Sequence, residues 1–148
     1  MRLLAVLAIV VSLVTAAVAA NTVTTDLEFT RLETEISFWG RGDYVPTPRT
    51  RERMDSENSR FANNHPRLAD AHRLLASQLV WEAYWASDVP DRHALAEKAV
   101  NAQRQLLELR PASRQGWENL LEYSRFLAEP EETASLARRQ LALLPRWK

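Results

Sequence analysis

Apolar residues fill the first twenty positions, and helical periodicity follows them. Residues 3–20 contain two polar side chains, Ser12 and Thr15, and Arg2 precedes them. A run of this length is near the lower limit for crossing a bilayer and the upper limit for the apolar part of a signal peptide. Small residues at 17–20 also fit a cleavage site. The pattern predicts export of the rest of the chain, with residues 1–20 as a cleaved signal or an uncleaved anchor.

The next segment is polar and rich in β-branched residues. Residues 21–25, with three threonines, predict a linker or strand-like spacer. Beyond it, apolar residues recur at helical spacing and predict a helix over residues 26–39, ended by Gly40 and Gly42. These apolar residues are Phe29, Leu32, Ile36 and Trp39.

Five further helices are predicted, separated by turns that contain Pro, Asn, Asp or Ser. They span approximately residues 48–62, 67–87, 92–109, 113–127 and 129–144. The first of these has a thin apolar face, with Met54 and Phe61 as its large apolar residues. Short connections favour antiparallel neighbours. We therefore expect an all-α domain of helical hairpins over residues 21–148.

The hairpins contain a weak internal repeat. An apolar run followed by proline occurs at residues 105–111 and again at residues 140–145, and Pro111 and Pro145 are 34 positions apart. This is the period of a tetratricopeptide repeat. Ala99 falls on the small position where the two helices of such a repeat cross, although the last unit has Thr133 there. The domain thus resembles a short tetratricopeptide-like solenoid, and the alternative is ordinary hairpins with a coincidental proline spacing.

The repeat resemblance also indicates where a partner would bind. In such solenoids the first helix of each hairpin lines a concave groove, and eight residues would face it here. They are Asp70, Arg73, Ser77 and Trp81 in one hairpin and Gln115, Glu118, Glu122 and Arg125 in the next. Mixed charges with one aromatic residue suit a peptide or protein segment. The alternative is an ordinary solvated surface.

Composition removes several classes of function. Lys plus Arg equals Asp plus Glu at 19 each, so the neutral chain has no general attraction to nucleic acid. The chain has no cysteine, which excludes disulfides, iron–sulfur clusters and thiol catalysis. Its three glycines are Gly40, Gly42 and Gly116, so no glycine-rich phosphate loop exists. We expect no cofactor.

Metal binding and acid catalysis have few candidate residues. His72 with Asp70 or Asp91 lacks any recognised ligand spacing, and a surface or half-buried histidine is the ordinary interpretation. Glu82 lies within the aromatic segment 81–85, where desolvation would raise its pKa. Glycoside hydrolysis needs two carboxylates, and no second acid is obviously placed opposite. The sequence therefore predicts no metal site and no catalytic residue.

Tryptophan is abundant for a chain of this size. Aromatic faces stack on sugar rings, but in a small helical domain large aromatic residues more often pack the core. The five tryptophans are Trp39, Trp81, Trp85, Trp117 and Trp147.

The order of these features resembles one protein family. The apolar leader is followed by LETEISFW at residues 32–39, a Gly/Pro turn and a helix that ends in His65-Pro66. Residues 68–85 and a helix–Pro111–helix unit complete the layout. This order is similar to the VpsP-like proteins of bacterial exopolysaccharide loci. The resemblance implies a non-catalytic, membrane-associated and periplasm-facing accessory that binds a protein of an envelope polysaccharide machine.

Two other functions remain open at the level of sequence. The first is a glycan-binding or glycan-processing domain that uses residues 81–85. The second is a structural helical homo-oligomer beside a membrane anchor.

Overall fold

The computed structural model describes residues 2–145, with side chains from residue 9 onward. Within this range all regular structure is helical: six α-helices, one 3₁₀ turn and no strand. The helices are α1 (Arg2–Phe38), α2 (Pro48–Asn64), α3 (Ala69–Trp85), α4 (Val89–Leu109), α5 (Arg114–Tyr123) and α6 (Glu131–Leu143), and the 3₁₀ turn is Ser124–Phe126. The all-α prediction is confirmed.

Residues 21–25 belong to helix α1 and do not form the predicted spacer, because the helix runs through this segment without a break. No Pro or Gly interrupts the chain between residues 2 and 38. The Thr22 hydroxyl donates to the Val18 carbonyl oxygen (3.0 Å), and the Thr25 hydroxyl donates to that of Asn21 (2.9 Å). In peptides, threonine lowers helix stability by only about a few tenths of a kcal/mol per residue relative to better helix formers. The prediction of a spacer was therefore wrong.

From Ile9 to Thr24 the side chains of α1 are exposed. From Ile9 to Phe38 the helix has the length and apolar composition to cross a membrane, with a mean hydropathy of 1.4 in its most apolar stretch. None of that stretch is buried inside the protein. These properties are consistent with either a signal sequence or a membrane anchor.

Side-chain caps start most of the later helices. Thr47 accepts a hydrogen bond from the Thr50 N–H (3.2 Å) before α2, and Ser113 accepts one from the Gly116 N–H (3.0 Å) before α5. Asp88 caps α4, which begins at Val89 rather than near residue 92 because Pro90 fits the first turn of a helix. The predicted order of these helices is confirmed.

The core forms two clusters that share α3. One lies between the carboxyl-terminal part of α1, α2 and α3, and the other joins α3 to α4, α5 and α6. The largest fully buried apolar side chains are Leu32, Met54, Phe61, Leu74 and Leu120. Helix α3 packs most extensively on α4, and α5 packs on α6, so the chain forms two hairpins preceded by α1 and α2.

A glycine allows the two hairpins to approach closely. A Cβ at Gly116 would lie 2.8 Å from Leu107 Cδ2 and 2.9 Å from Leu106 Cδ2. The Gly116 carbonyl oxygen accepts a hydrogen bond from Gln103 Nε2 (2.8 Å), and Gln103 is fully buried. This contact fixes the start of α5 against the end of α4.

Candidate binding site

The four groove residues predicted on α3 are half-buried and make contacts within the domain. Asp70 forms ion pairs with Arg73 (3.3 Å) and with Arg110 (3.0 Å). Ser77 faces the buried hydroxyl of Tyr123 on α5. Trp81 is half-buried beneath the loop that follows α1. This half of the predicted groove is therefore largely occupied by the chain itself.

Helix α1 covers this half of the predicted groove by contacting Arg73 of α3. The Arg73 guanidinium forms an ion pair with Glu33 and lies 5.7 Å from the centre of the Phe29 ring. Partial burial alone would lower the pKa of Arg73, but the carboxylates of Glu33 and Asp70 outweigh it and raise the pKa. Arg73 thus joins α1 to α3.

The four groove residues predicted on α5 and just beyond it remain accessible. Gln115 donates a hydrogen bond to Asn119 (2.9 Å), and Glu118 is 3.6 Å from Arg114. Glu122 and Arg125 are exposed. The open part of the predicted groove is therefore the α5 side, which is rich in charged and amide groups.

One cavity brings residues of both groups together. It has a volume of about 520 Å³ and contains Trp81 from α3 and Glu122 from α5. We call it the aromatic cavity, and its remaining lining residues come from the α1–α2 loop, from α3 and from the 3₁₀ turn. They are Gly40, Gly42, Tyr44, Val45, Val80, Tyr84, Trp85 and Phe126.

A ladder of aromatic rings leads from the core to this cavity. Trp39, only 2% exposed, contacts Trp85 with ring centres 5.4 Å apart. Trp85 stacks on Trp81 at 5.3 Å, and Trp81 meets the edge of Tyr84 at 5.7 Å. Tyr84 is 60% exposed. The ladder combines rigid packing at its inner end with accessible aromatic surface at its outer end.

The loop after α1 is shaped by Gly40. This residue has φ +71°, and a Cβ there would lie 2.1 Å from Trp81 Cη2. Its N–H donates to the Tyr44 carbonyl oxygen (3.3 Å). The Tyr44 hydroxyl donates to Glu35 Oε1 (2.8 Å), and this hydrogen bond raises the pKa of Tyr44. The loop thus brings Tyr44 to the edge of the cavity and holds its hydroxyl as a donor.

The cavity combines aromatic faces with one carboxylate. The rings of Trp81, Tyr84 and Trp85 line it together with the exposed Glu122. Aromatic faces and a carboxylate can hold a mixed apolar and polar ligand, such as a peptide segment or a saccharide.

Glu82 does not share this cavity with Trp81. It lies on the opposite face of α3, in a cleft of about 650 Å³ between α2, α3 and α4. Its Oε2 is 3.4 Å from Arg51 Nη1. Burial raises the pKa of Glu82, and Arg51 partly offsets this effect. The cleft and the aromatic cavity share no lining residue, so Glu82 and Trp81 line different openings, and Arg51 lies between Glu82 and the Trp85 ring (5.8 Å to its centre).

The structure brings Asp55 into the same cleft as Glu82, and its charge raises the pKa of Glu82 further. His72 is buried, and its Nε2 donates to the Pro66 carbonyl oxygen (2.9 Å). Within the described part of the chain, no three His, Asp or Glu residues gather in a way that would hold a metal ion. Trp147 lies outside the described residues.

Sequence reasoning did not identify Tyr44, Gly40 or Phe126 as parts of a site. Two glycines beside a tyrosine in a turn were the available signal, because such turns often place a side chain against another element. The contact with Trp81 depends on the position of α1 over α3, which local pattern does not reveal.

The chain matches no protein-family model, no curated protein and no solved structure.

Proposed function

We propose that this protein is a non-catalytic scaffold of the cell envelope, anchored in the inner membrane by residues 3–20, which holds a protein of an exopolysaccharide-synthesis or export machine. The observation that carries the proposal is the aromatic cavity, an open site on a domain that continues directly from an apolar helix. The similarity of layout to the VpsP-like proteins supports the choice of machine.

The continuity of α1 supports an anchor over a cleaved signal. Eight large apolar side chains of α1 are more than half exposed: Ile9, Val10, Val11, Leu13, Val14, Val18, Val23 and Leu27. A surface of this kind needs a partner, and a bilayer supplies one. Cleavage after residue 19 or 20 would cut within a helical segment whose carboxyl-terminal half is packed in the core.

A tetratricopeptide-like arrangement is part of the proposal. The two hairpins α3/α4 and α5/α6 support it. The complete burial of Ala99, at the position where the helices of a repeat cross, also supports it. The matching position of the last unit is buried too, but it holds the larger residue Thr133. In this arrangement α1 fills the amino-terminal half of the groove and leaves the α5 side and the aromatic cavity for the partner.

The proposed ligand is a protein segment with an aromatic or aliphatic side chain for the cavity. Polar groups of that segment would meet the exposed residues Glu118, Glu122 and Arg125. The experiment introduces a photo-crosslinking amino acid at Glu122 in the native cells, with the same group at Arg139 on α6 as the control. We expect Glu122 alone to capture a membrane component of a polysaccharide machine.

The variant Tyr84→Ala sharpens this test. Tyr84 is 60% exposed, so its loss removes cavity surface without opening the core. We expect it to abolish the capture at Glu122 while the thermal unfolding temperature stays unchanged. Crosslinks only to a second copy of the chain would favour a homo-oligomer, and equal capture from Arg139 would disprove the proposed surface.

A second candidate function is glycan binding by the same cavity. The exposed ring of Tyr84 and the stacked rings of Trp81 and Trp85 favour it. Calorimetric titration of the full-length protein with soluble fragments of the cell's own exopolysaccharide tests it. Saturable binding that Tyr84→Ala removes would support a glycan site. The absence of any heat of binding would favour a protein as the ligand of the cavity.

A further inference from the structure

The face of α3 opposite the aromatic cavity carries a second, larger opening. Helices α2 and α4 both pack on α3, and a cleft of about 650 Å³ lies between them. Leu75 and Leu79, one helical turn apart on α3, form its floor, and Leu95 of α4 adds apolar surface. The cleft extends along α2 from Pro48 to Ser59, which is about 16 Å of helix.

The two sides of this cleft differ in charge. On α2 the exposed acids Glu52 and Asp55 line it, and on α4 the exposed Lys98 lines it together with two side-chain amides. A ligand that matches both sides must present basic groups toward α2 and acidic groups toward α4.

One end of the cleft contains polar atoms without partners. Arg51 and Glu82 form an ion pair across it (3.4 Å). Arg51 Nε and Glu82 Oε1 are both buried and have no hydrogen-bond partner within the described residues. Polar atoms in this state are costly, and this ion pair marks the end of the cleft.

The geometry of the walls selects the type of ligand. All three walls are helices whose interior backbone groups already hydrogen bond within the helix. Recognition by strand addition needs a free strand edge, and no strand exists among residues 2–145. A helix satisfies its own backbone, and its ridges fit the grooves of neighbouring helices.

We propose that the cleft between α2 and α4 binds an amphipathic helix of a partner protein, in contact over about eleven residues. Its apolar stripe lies on Leu75 and Leu79, its basic flank faces Glu52 and Asp55, and its acidic flank faces Lys98. This site goes beyond the proposed function, because it lies on the other face of the domain and is independent of the aromatic cavity.

The test is a peptide selection on the full-length protein in nanodiscs. The library consists of helix-forming peptides with one leucine stripe and random charges on its two flanks. Enriched peptides are expected to carry Lys or Arg on one flank and Asp or Glu on the other. They should also crosslink to a photoreactive residue placed at Asn101, which lines the cleft and is exposed.

Charge reversal in the cleft makes the result decisive. Asp55→Lys with Lys98→Glu exchanges two exposed charges and leaves the core intact. It should weaken the enriched peptides by at least about fivefold and select the reversed charge pattern. Fluorescence anisotropy of labelled peptides measures both effects.

A matched control variant changes charges on the other face. Glu118→Lys with Arg125→Glu also exchanges two exposed charges but lies on the α5 side, and it should leave the enriched peptides unaffected. Absence of enrichment, random flank charges, or equal loss with the control variant would overturn the proposed site. Because only the control variant alters the surface of the proposed function, failure of one site is distinguishable from failure of the other.

Discussion

At the scale of single residues, the ionisation of Tyr123 makes the free energy of unfolding depend on pH in the alkaline range. It is 7% exposed, and burial, with the nearby charge of Glu122, raises its pKa to about 12. Ser77 and Arg73 only partly offset this shift. In the unfolded chain the phenol ionises near pH 10, so the unfolded state loses its proton first as the pH rises.

The free energy of unfolding should therefore fall between pH 10 and pH 12. The contribution of Tyr123 is about 1.4 kcal/mol per pH unit, on the order of 2 kcal/mol in all. Urea unfolding at pH 9 and at pH 12 measures it. Tyr123→Phe should lose this part of the pH dependence, and a variant that retains the full dependence would contradict the assignment.

Gly40 and Gly42 form a natural pair of substitutions, since both have positive φ, at +71° and +57°. Gly40→Ala adds a clash with Trp81 to an unfavourable backbone conformation, and should destabilise the protein by about 2–4 kcal/mol. Gly42→Ala meets no atom within 4 Å, and should lose about 1 kcal/mol through the backbone alone. Denaturant midpoints compare the two. Equal losses would mean that the Trp81 contact is unimportant.

At the scale of elements, α2 is held by polar contacts as much as by apolar ones. The amides of Asn58 and Gln78 meet at 2.8 Å, and both residues are fully buried. The Asn58 side-chain nitrogen donates to the Gln78 side-chain oxygen, so the bond joins α2 to α3 inside the core. The amide pair therefore fixes the position of α2 along α3.

Removal of one amide should cost more than removal of both. Asn58→Ala leaves the Gln78 amide buried with too few partners and should destabilise the protein by about 2–3 kcal/mol. Asn58→Leu with Gln78→Leu removes both polar groups and should remain within about 1 kcal/mol of the parent. Chemical denaturation of the three proteins tests this, and a double variant as weak as the single one would refute it.

Sequence reasoning located the helices because their ends are chemically marked. Thr47, Asp88 and Ser113 cap the following helices, and Gly40 and Pro111 follow the ends of α1 and α4. The error at residues 21–25 arose from reading threonine as a strand residue. Propensity is weak, and a continuous helix needs only the absence of a breaker and a place for each hydroxyl.

The candidate site was less predictable than the helices. Helical periodicity placed Trp81 and Glu122 on groove positions, and the structure brings these two residues to one cavity. Periodicity did not reveal that α1 would cover Arg73. This fact depends on a contact between residues forty positions apart in sequence, the pair Arg73–Glu33.

At the scale of the whole molecule, α1 has two parts with different roles. Its side chains from Ile9 to Asp26 pack on little or nothing, whereas Leu32, Ile36 and Trp39 belong to the core cluster with α2 and α3. A break of the helix before residue 28 would therefore separate the exposed part of α1 from the folded domain without removing core contacts.

Thr24→Pro should break α1 and leave the domain folded. Its thermal unfolding temperature should stay within a few degrees of the parent, because the core contacts remain. Leu32→Ala, at a fully buried position of the same helix, should lose about 2–5 kcal/mol. Calorimetry of both variants in nanodiscs measures the difference. A large loss in Thr24→Pro would show that the exposed part contributes to folding.

If residues 3–20 anchor the chain, the unbroken helix α1 acts as a lever arm between bilayer and domain. Residues 21–38 extend about 25 Å, so the aromatic cavity stands at this height above the hydrocarbon if residues 3–20 span it. Anchoring helices tilt to match bilayer thickness, and without a hinge the domain must tilt with them. A tilt of about 20° would carry the cavity about 9 Å sideways. The thickness of the membrane would then set where a partner finds its site.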